Sequence, residues 1–259
     1  MRFKINLSLP NSKLKTLPLN YQYELSSYIY RTIARGNADY ADWLHENGFN
    51  IDGKQFRLFA FSNLDIPQKT IDKTHSQLII KGDRASFNIS FLPERSTEEF
   101  VKGIFADQHF SIGNHDCKAE FLIQNIELLP QPDFCRSFTG TTTSPICITL
   151  KNDNGKLDYI APDSPLAAEL IKNNLLNKYF AFYGKPYDKE LFFVWKTLDM
   201  PRSKLITIKT NTPQQTKVRG FHCKFSLFTT PELMNVAYNA GIGEKNSMGF
   251  GMIEEIEKD

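Results

Sequence analysis

Apolar and polar residues alternate from the second residue onward. In RFKINLSL, Phe3, Ile5, Leu7 and Leu9 share one face, while Arg2, Lys4, Asn6 and Ser8 share the other. That period of two predicts a strand with one wet face. The period then changes. Tyr21, Leu25, Ile29 and Ile33 recur every fourth residue, predicting a helix that Asn20 caps and Gly36 ends. A shorter helix, ADYADWLHENGF, follows between Asn37 and Gly48. QFRLFAFSNL (55–64) and SQLIIKGDRASFNISFL (76–92) read as strands, the second bent or paired through a turn at Gly82–Asp83. STEEFVKGIFAD reads as a helix opened by a capping box from Ser96 to Glu99, and KAEFLIQNIELL (118–129) as a strand.

After the breaker-rich PQPDFCRSFTG (130–140) the order starts again. SPICITL (144–150) is the expected opening strand. Ser164 and Pro165 open a long helix, LFFVWKTL, KLITIKTN and FHCKFSLF are strands, Thr230 and Pro231 open another helix, and GMIEEIEK closes the chain. Two halves with one element order predict an α+β protein: two tandem ferredoxin-like (RRM-like) domains with antiparallel sheets, at 1–130 and 131–259.

Composition changes this picture little. Among 259 residues, 41% are apolar and 23% charged, and the net charge is +2, so a nucleic-acid partner would require locally concentrated cations. The four cysteines, Cys117, Cys135, Cys147 and Cys223, form no C-x-x-C pair, which argues against a zinc or redox site and for buried free thiols. With no signal-like start and no long apolar run, the expectation is a cytoplasmic protein without membrane contact.

The local cations lie in LDMPRSKLITIKTNTPQQTKVRGFH. Arg202, Lys204, Lys209, Lys217 and Arg219 alternate with polar residues, and no acid intervenes. Phosphate contact and a solvated hairpin both fit this pattern. The most unusual stretch is GIGEKNSMGFG (241–251), which holds Gly241, Gly243, Gly249 and Gly251 around Lys245 and Ser247. It lacks the G-K-[ST] of a Walker loop, fails the dinucleotide fingerprint at Asn246, and lies between a helix and a strand in the wrong order for either. What remains open is a nest of backbone N–H groups for phosphate oxygens, or a helix C-cap followed by a glycine bulge.

GIGEKNSMGFG near the end of a duplicated chain, with YIYRTI, DWLHENGF and RLFAFS near its start, resembles the CRISPR repeat-processing endoribonucleases of the repeat-associated mysterious protein (RAMP) superfamily. The resemblance is strongest over 1–65 and 240–252. It implies cutting of CRISPR precursor RNA within each repeat, without metal or other cofactor, by 2′-hydroxyl attack that leaves 2′,3′-cyclic phosphate and 5′-hydroxyl ends. It also implies roles for residues. His45 matches the family's histidine, in a last helical turn that favours positive charge and so suits a general acid. Tyr30, off the apolar stripe, matches the family's tyrosine and would orient the 2′-hydroxyl or donate to phosphate. Lys54 and Arg57 compete as the cation, with Lys54 preferred on chemical grounds. The glycine-loop residues and the basic hairpin would touch RNA, with Arg31 and Arg35 as further contacts. His75, His109, His115 and His222 are read as ordinary. A non-catalytic repeat-RNA-binding subunit of the same superfamily is the alternative. CRISPR repeat RNA is the implied partner; contact with effector-complex subunits and a homodimer stay open.

Overall fold

The chain was analysed as a computed structural model, which describes residues 1–10, 14–114, 116–134, 136–210 and 212–256. Cys135 and His115 lie outside the described residues. The first half runs β1 (Arg2–Ser8), β2 (Thr16–Pro18), α1 (Gln22–Gly36), α2 (Ala38–Glu46), β3 (Phe49–Ile51), β4 (Lys54–Phe56), β5 (Phe59–Phe61), β6 (Lys69–Asp72), β7 (Gln77–Ile80), β8 (Arg84–Phe91), α3 (Glu94–Ala106), β9 (His109–Gly113) and β10 (Lys118–Leu129). The second half runs β11 (Ser137–Thr142), β12 (Thr149–Lys151), β13 (Leu157–Tyr159), α4 (Ala167–Tyr183), β14 (Phe193–Thr197), β15 (Arg202–Ile208), β16 (Thr216–His222), β17 (Lys224–Thr229), α5 (Pro231–Ala240) and β18 (Ile253–Glu255).

Two antiparallel sheets carry this order. The first is β5-β8-β1-β10-β9 and the second β14-β17-β11-β18. With β9 set aside, both place the opening strand between the third and the last strand of a β-α-β-β-α-β unit, so the tandem ferredoxin-like expectation holds. Helices cover one face of each sheet because the strands alternate. Ile5 and Leu7 of β1 are buried beneath Leu25, Ile29 and Ile33 of α1 in one core. Leu227 and Phe225 of β17 meet Ile171 and Leu175 of α4 in a second. The hairpin β15–β16 is inserted between β14 and β17, and its own apolar face, Ile206, Ile208 and Val218, packs on Phe250 and Cys147.

Several local expectations are corrected. Helix α1 starts after Tyr21, not Asn20, without a side-chain cap, whereas Asn37 does cap α2, its Oδ1 accepting from Tyr40 N at 2.9 Å. The Ser96–Glu99 capping box does not form. Helix α3 begins at Glu94, which leaves Ser96 inside it, where its hydroxyl meets Tyr40 Oη at 2.5 Å. Residues 55–64 break into two strands because Leu58 turns to φ +53 and buries its side chain in the second core. Residues 76–92 break at the expected Gly82–Asp83, but the two parts do not pair with each other: β7 pairs with β2 and β6, and β8 with β1 and β5. The opening strand of the second sheet is β11, not SPICITL, whose Ile146 and Cys147 form only isolated bridges to Phe221 and Glu244. Helix α4 starts at Ala167, so Ser164 stands outside it.

Arg2 departs furthest from its expected wet face. It is 4% exposed, lies 3.5 Å over the Tyr238 ring, and donates to the carbonyls of Ile253 and Tyr238 at 2.6 and 2.5 Å. A residue of the first strand thus ties the N-terminal sheet to α5 and β18. Burial lowers its pKa to about 10. The cysteine expectation holds for the described residues: Cys117, Cys147 and Cys223 are free and buried.

Candidate active site and nucleic-acid interface

Three segments distant in sequence meet at Tyr30. The tyrosine sits on α1 with its ring edge against Phe59, centroids 5.6 Å apart, and against His45 of α2 at 5.3 Å. The Ser247 side chain and the Arg57 guanidinium stand beside its hydroxyl. Burial raises the Tyr30 pKa, and those two partners offset part of the rise. A phenol so placed stays protonated near neutral pH and acts as a donor, not a base.

His45 occupies the last turn of α2 with its side chain exposed. Arg57 donates to the His45 carbonyl and, at 3.1 Å, to Gln55 Oε1. The guanidinium therefore caps α2 and lies beside Tyr30 at once. Lys54 is placed differently. It pairs with Ile51 at the tip of the β3–β4 hairpin, exposed, on the strand face opposite Gln55. The structure brings Arg57, and not Lys54, to the tyrosine. The preference for Lys54 rested on chemistry alone; strand alternation decides the geometry.

The glycine loop forms the far wall. Gly241 at φ +81, ψ 162 is in a region that an L residue adopts only at high cost, and a Cβ on Gly251 would stand 2.0 Å from the Ile242 carbonyl oxygen. The loop folds back on itself. The N–H groups of Ile242 and Gly251 donate to Gly251 O and Pro145 O, those of Glu244, Met248 and Gly249 to Cys147 O, Lys245 O and Asn246 O. Five loop donors are thus spent inside the protein, and the N–H groups of Lys245, Asn246 and Ser247 are not among them. The loop also presents side chains. Ser247 points to Tyr30, while Lys245, at φ +58, is half-exposed and makes no ion pair with the described residues.

A buried lysine holds that loop. Lys178 of α4 is 1% exposed and donates to Gly241 O, Gly243 O and Asn246 Oδ1 at 2.7, 2.8 and 2.7 Å. Asn246 Nδ2 in turn reaches Ile242 O and Phe250 O at 3.2 and 3.1 Å. Burial lowers the Lys178 pKa to about 7, with Glu244 acting in the opposite sense. Sequence reasoning missed this residue. Its signal was present: Ile171, Leu175 and Lys178 fall at i, i+4 and i+7, a cation on the apolar stripe of a helix. From the other side, α1 meets the loop along Gln22, Ser26 and Tyr30. Ser26 Oγ donates to Ser247 O at 2.6 Å.

The hairpin cations do not act as one strip. Arg219 and Lys217 pair with Leu205 and Thr207 on the outer face, and Arg219 donates to Ser203 Oγ at 2.6 Å. Lys204 turns to the inner face beside His222, and burial lowers its pKa. Arg202 is exposed at the base of the hairpin, and Lys209 follows β15 at φ +52. Arg31 and Arg35 lie on the face of α1 turned from Tyr30, so they are separated from the Tyr30 cluster. Arg35 pairs with Asp107 at 2.8 Å. Among the described residues no group of three His, Cys, Asp or Glu side chains stands close enough to hold a metal ion, and no helix is long and apolar enough to cross a membrane.

Comparison with known proteins covers nearly the whole chain. Residues 129–255 match the family described as CRISPR associated protein Cas6, C-terminal, and residues 16–127 that described as CRISPR-associated protein Cas6, N-terminal. The sequence is 32% identical over 258 residues to "CRISPR-associated endoribonuclease Cas6 1" of Methanocaldococcus jannaschii, covering 98% of this chain and 93% of that one. It is 28% identical over 256 residues to "CRISPR-associated endoribonuclease Cas6" of Pyrococcus furiosus, covering 98% and 89%. The fold superposes with a TM-score of 0.83, at 25% identity and over 100% and 99% of the two chains, on a structure titled "Characterization of a Cas6-related gene from Pyrococcus furiosus".

Proposed function

We propose that this chain, which belongs to the Cas6 family of CRISPR-associated proteins, is an endoribonuclease that cuts CRISPR precursor RNA within each repeat without a metal. The 2′-oxygen attacks the adjacent phosphorus, and the P–O5′ bond breaks. The 2′-hydroxyl proton passes to solvent water as its oxygen bonds phosphorus, and the departing 5′-oxygen takes a proton from the His45 imidazolium. Products are a 2′,3′-cyclic phosphate and a 5′-hydroxyl. Tyr30 orients the 2′-hydroxyl or donates to a phosphate oxygen, and Arg57 steadies the phosphorane charge. The N-terminal unit, near 1–130, carries these three groups. The C-terminal unit supplies Ser247 and Lys245 from the glycine loop, with Lys217 and Arg219 as phosphate contacts.

The observation that carries this reading is the convergence on one hydroxyl. Tyr30 of α1 has Ser247 of the loop and Arg57 beside its hydroxyl, and its ring centroid lies 5.3 Å from that of His45. A proton donor, a hydroxyl and a fixed guanidinium on one rim is what phosphodiester transesterification requires. The second reading, an RNA-binding subunit of the same superfamily that does not cut, uses the loop and hairpin but not His45.

Cleavage of a cognate repeat RNA in excess EDTA decides between them, run beside the same RNA carrying one 2′-deoxy nucleotide at the cut. Cutting of the all-ribose strand alone, with a cyclic phosphate end, is expected. Tight binding with neither strand cut would establish the non-catalytic reading, and cutting abolished by EDTA would overturn the metal-free mechanism.

A further inference from the structure

On the face of α1 turned from Tyr30, a second basic site is built between the helix and the edge strand β9. Tyr28, Arg31, Arg35, His109, Ser111 and Lys118 line a polar hollow there, with Phe110 and Gly113. Tyr28, Arg31 and Arg35 fall at i, i+3 and i+7, so one helix face presents all three. The Tyr28 ring stacks on Phe110, centroids 3.8 Å apart and planes 12° from parallel, which fixes its hydroxyl. Lys118 reaches the hollow because β10 pairs it with Gly113, where β9 has no side chain.

The polar groups are unevenly satisfied. Tyr28 is 1% exposed, yet its hydroxyl has no hydrogen-bond partner. The nearby Thr32 hydroxyl gives its proton to the Tyr28 carbonyl at 3.0 Å. A buried phenol without an acceptor costs free energy that an incoming oxygen would recover. Carboxylates are near: Asp107 pairs with Arg35 at 2.8 Å, its Oδ1 accepts from His109 N at 3.0 Å, and Glu120 pairs with Ser111 two residues from Lys118. Arg31 and Lys118, both exposed, make no ion pair with the described residues, so positive charge is left over. A group with several acceptor oxygens and negative charge fits an arginine fork, an ammonium and a phenol together.

We propose that this hollow binds a backbone phosphate of the RNA flanking the cut. The inference rests on reading the chain as an RNA-cutting protein and adds a contact for substrate that has passed over α1. Residues 28 and 30 lie about 200° apart around the helix. A strand held at Tyr30 must therefore round the helix, about 10 Å across, to reach Tyr28. A flank long enough to do so gains a second anchor that a minimal substrate cannot use.

The test uses the full chain and repeat RNA with a 2′-deoxy nucleotide at the cut, so binding is read without cleavage. The double variant R31E/K118E is expected to raise Kd about tenfold and to flatten the slope of log K against log salt by about 1.4, two contacts on a single strand. Y28F, which keeps the stack on Phe110, is expected to raise Kd severalfold with an unchanged Tm. Wild-type Kd and slope in both variants would overturn the proposal. Inorganic phosphate separates the sources. If it raises the Tm of the wild type and not of R31E/K118E, while RNA affinity is unmoved, the hollow takes a free anion and the RNA contact is wrong. Failure of cleavage is a separate result: a wild type that binds but does not cut the all-ribose RNA removes the nuclease reading and leaves this slope measurement standing.

Discussion

Among the residues around Tyr30, Arg57 does most to distinguish the geometry from the sequence pattern. It caps α2 at the His45 carbonyl and stands beside the Tyr30 hydroxyl, so one guanidinium links the backbone under one candidate catalytic residue to the side chain of another. His45→Ala is expected to lower kcat at least about 100-fold with RNA Kd near wild type, because a general acid acts only as charge develops on the leaving oxygen. Arg57→Ala should cost a similar factor, and Lys54→Ala only a few-fold. Single-turnover cleavage of the three variants checks this; a Lys54→Ala loss as deep as that of His45→Ala would return the cation role to the hairpin tip. Tyr30→Phe is expected to reduce the rate about tenfold without the loss of Tm that a core defect would bring, since the ring contacts to Phe59 and His45 remain.

At the scale of elements, the β15–β16 hairpin is a mixed surface. Its inner face is a small apolar core with Phe250, which anchors it to the glycine loop, and its outer face shows Lys217 and Arg219 beside exposed Leu205. Lys217→Glu with Arg219→Glu is therefore expected to weaken RNA binding and to reduce the salt slope by about 1.4, two phosphate contacts on a single strand. Filter binding from low to moderate salt measures it; an unchanged slope would remove the outer face from the interface. Lys204 is a different matter, because its ammonium is turned inward toward His222 and is not free to follow an RNA strand.

For the whole molecule, Lys178 joins stability to the site. Its ammonium has an acceptor for each of its three protons, two of them carbonyls of the glycine loop. Lys178→Met leaves those acceptors buried and unpaired and is expected to cost about 3–5 kcal/mol of stability. The pH dependence has a definite sign. Burial lowers the folded-state pKa to about 7 from 10.5, so between those values the unfolded chain holds the extra proton. This lysine's contribution to stability is flat below pH 7 and rises toward pH 10, by at most about 1.4 kcal/mol per unit. Urea melts of wild type and Lys178→Met from pH 6 to 10 test it: the difference between them should widen with pH, and a constant difference would mean that the lysine keeps its charge throughout. Arg2 works on the same scale, tying the two sheets through carbonyls of α5 and β18.

Much of this was legible in the chain because local periodicity reports which face an element buries. The α1 stripe of Leu25, Ile29 and Ile33, the full span of β10 and the repeated element order needed no tertiary knowledge. The glycine loop stood out for the same local reason, unusual residue types in a short span, whereas His45 was singled out by the family resemblance. Tertiary structure alone decided what no spacing encodes: that Arg57 and not Lys54 turns to Tyr30, that Arg2 leaves its wet face, and that Lys178 enters the core. Each is a polar group whose partner lies in another segment: 236 and 251 residues away for Arg2, 63 to 68 for Lys178, and across the β3–β4 hairpin for Arg57. A polar side chain's position is set by the acceptor it must find once water is removed. Hydrophobic burial is written in the sequence as a pattern; the satisfaction of buried polar groups is written only in the packed fold.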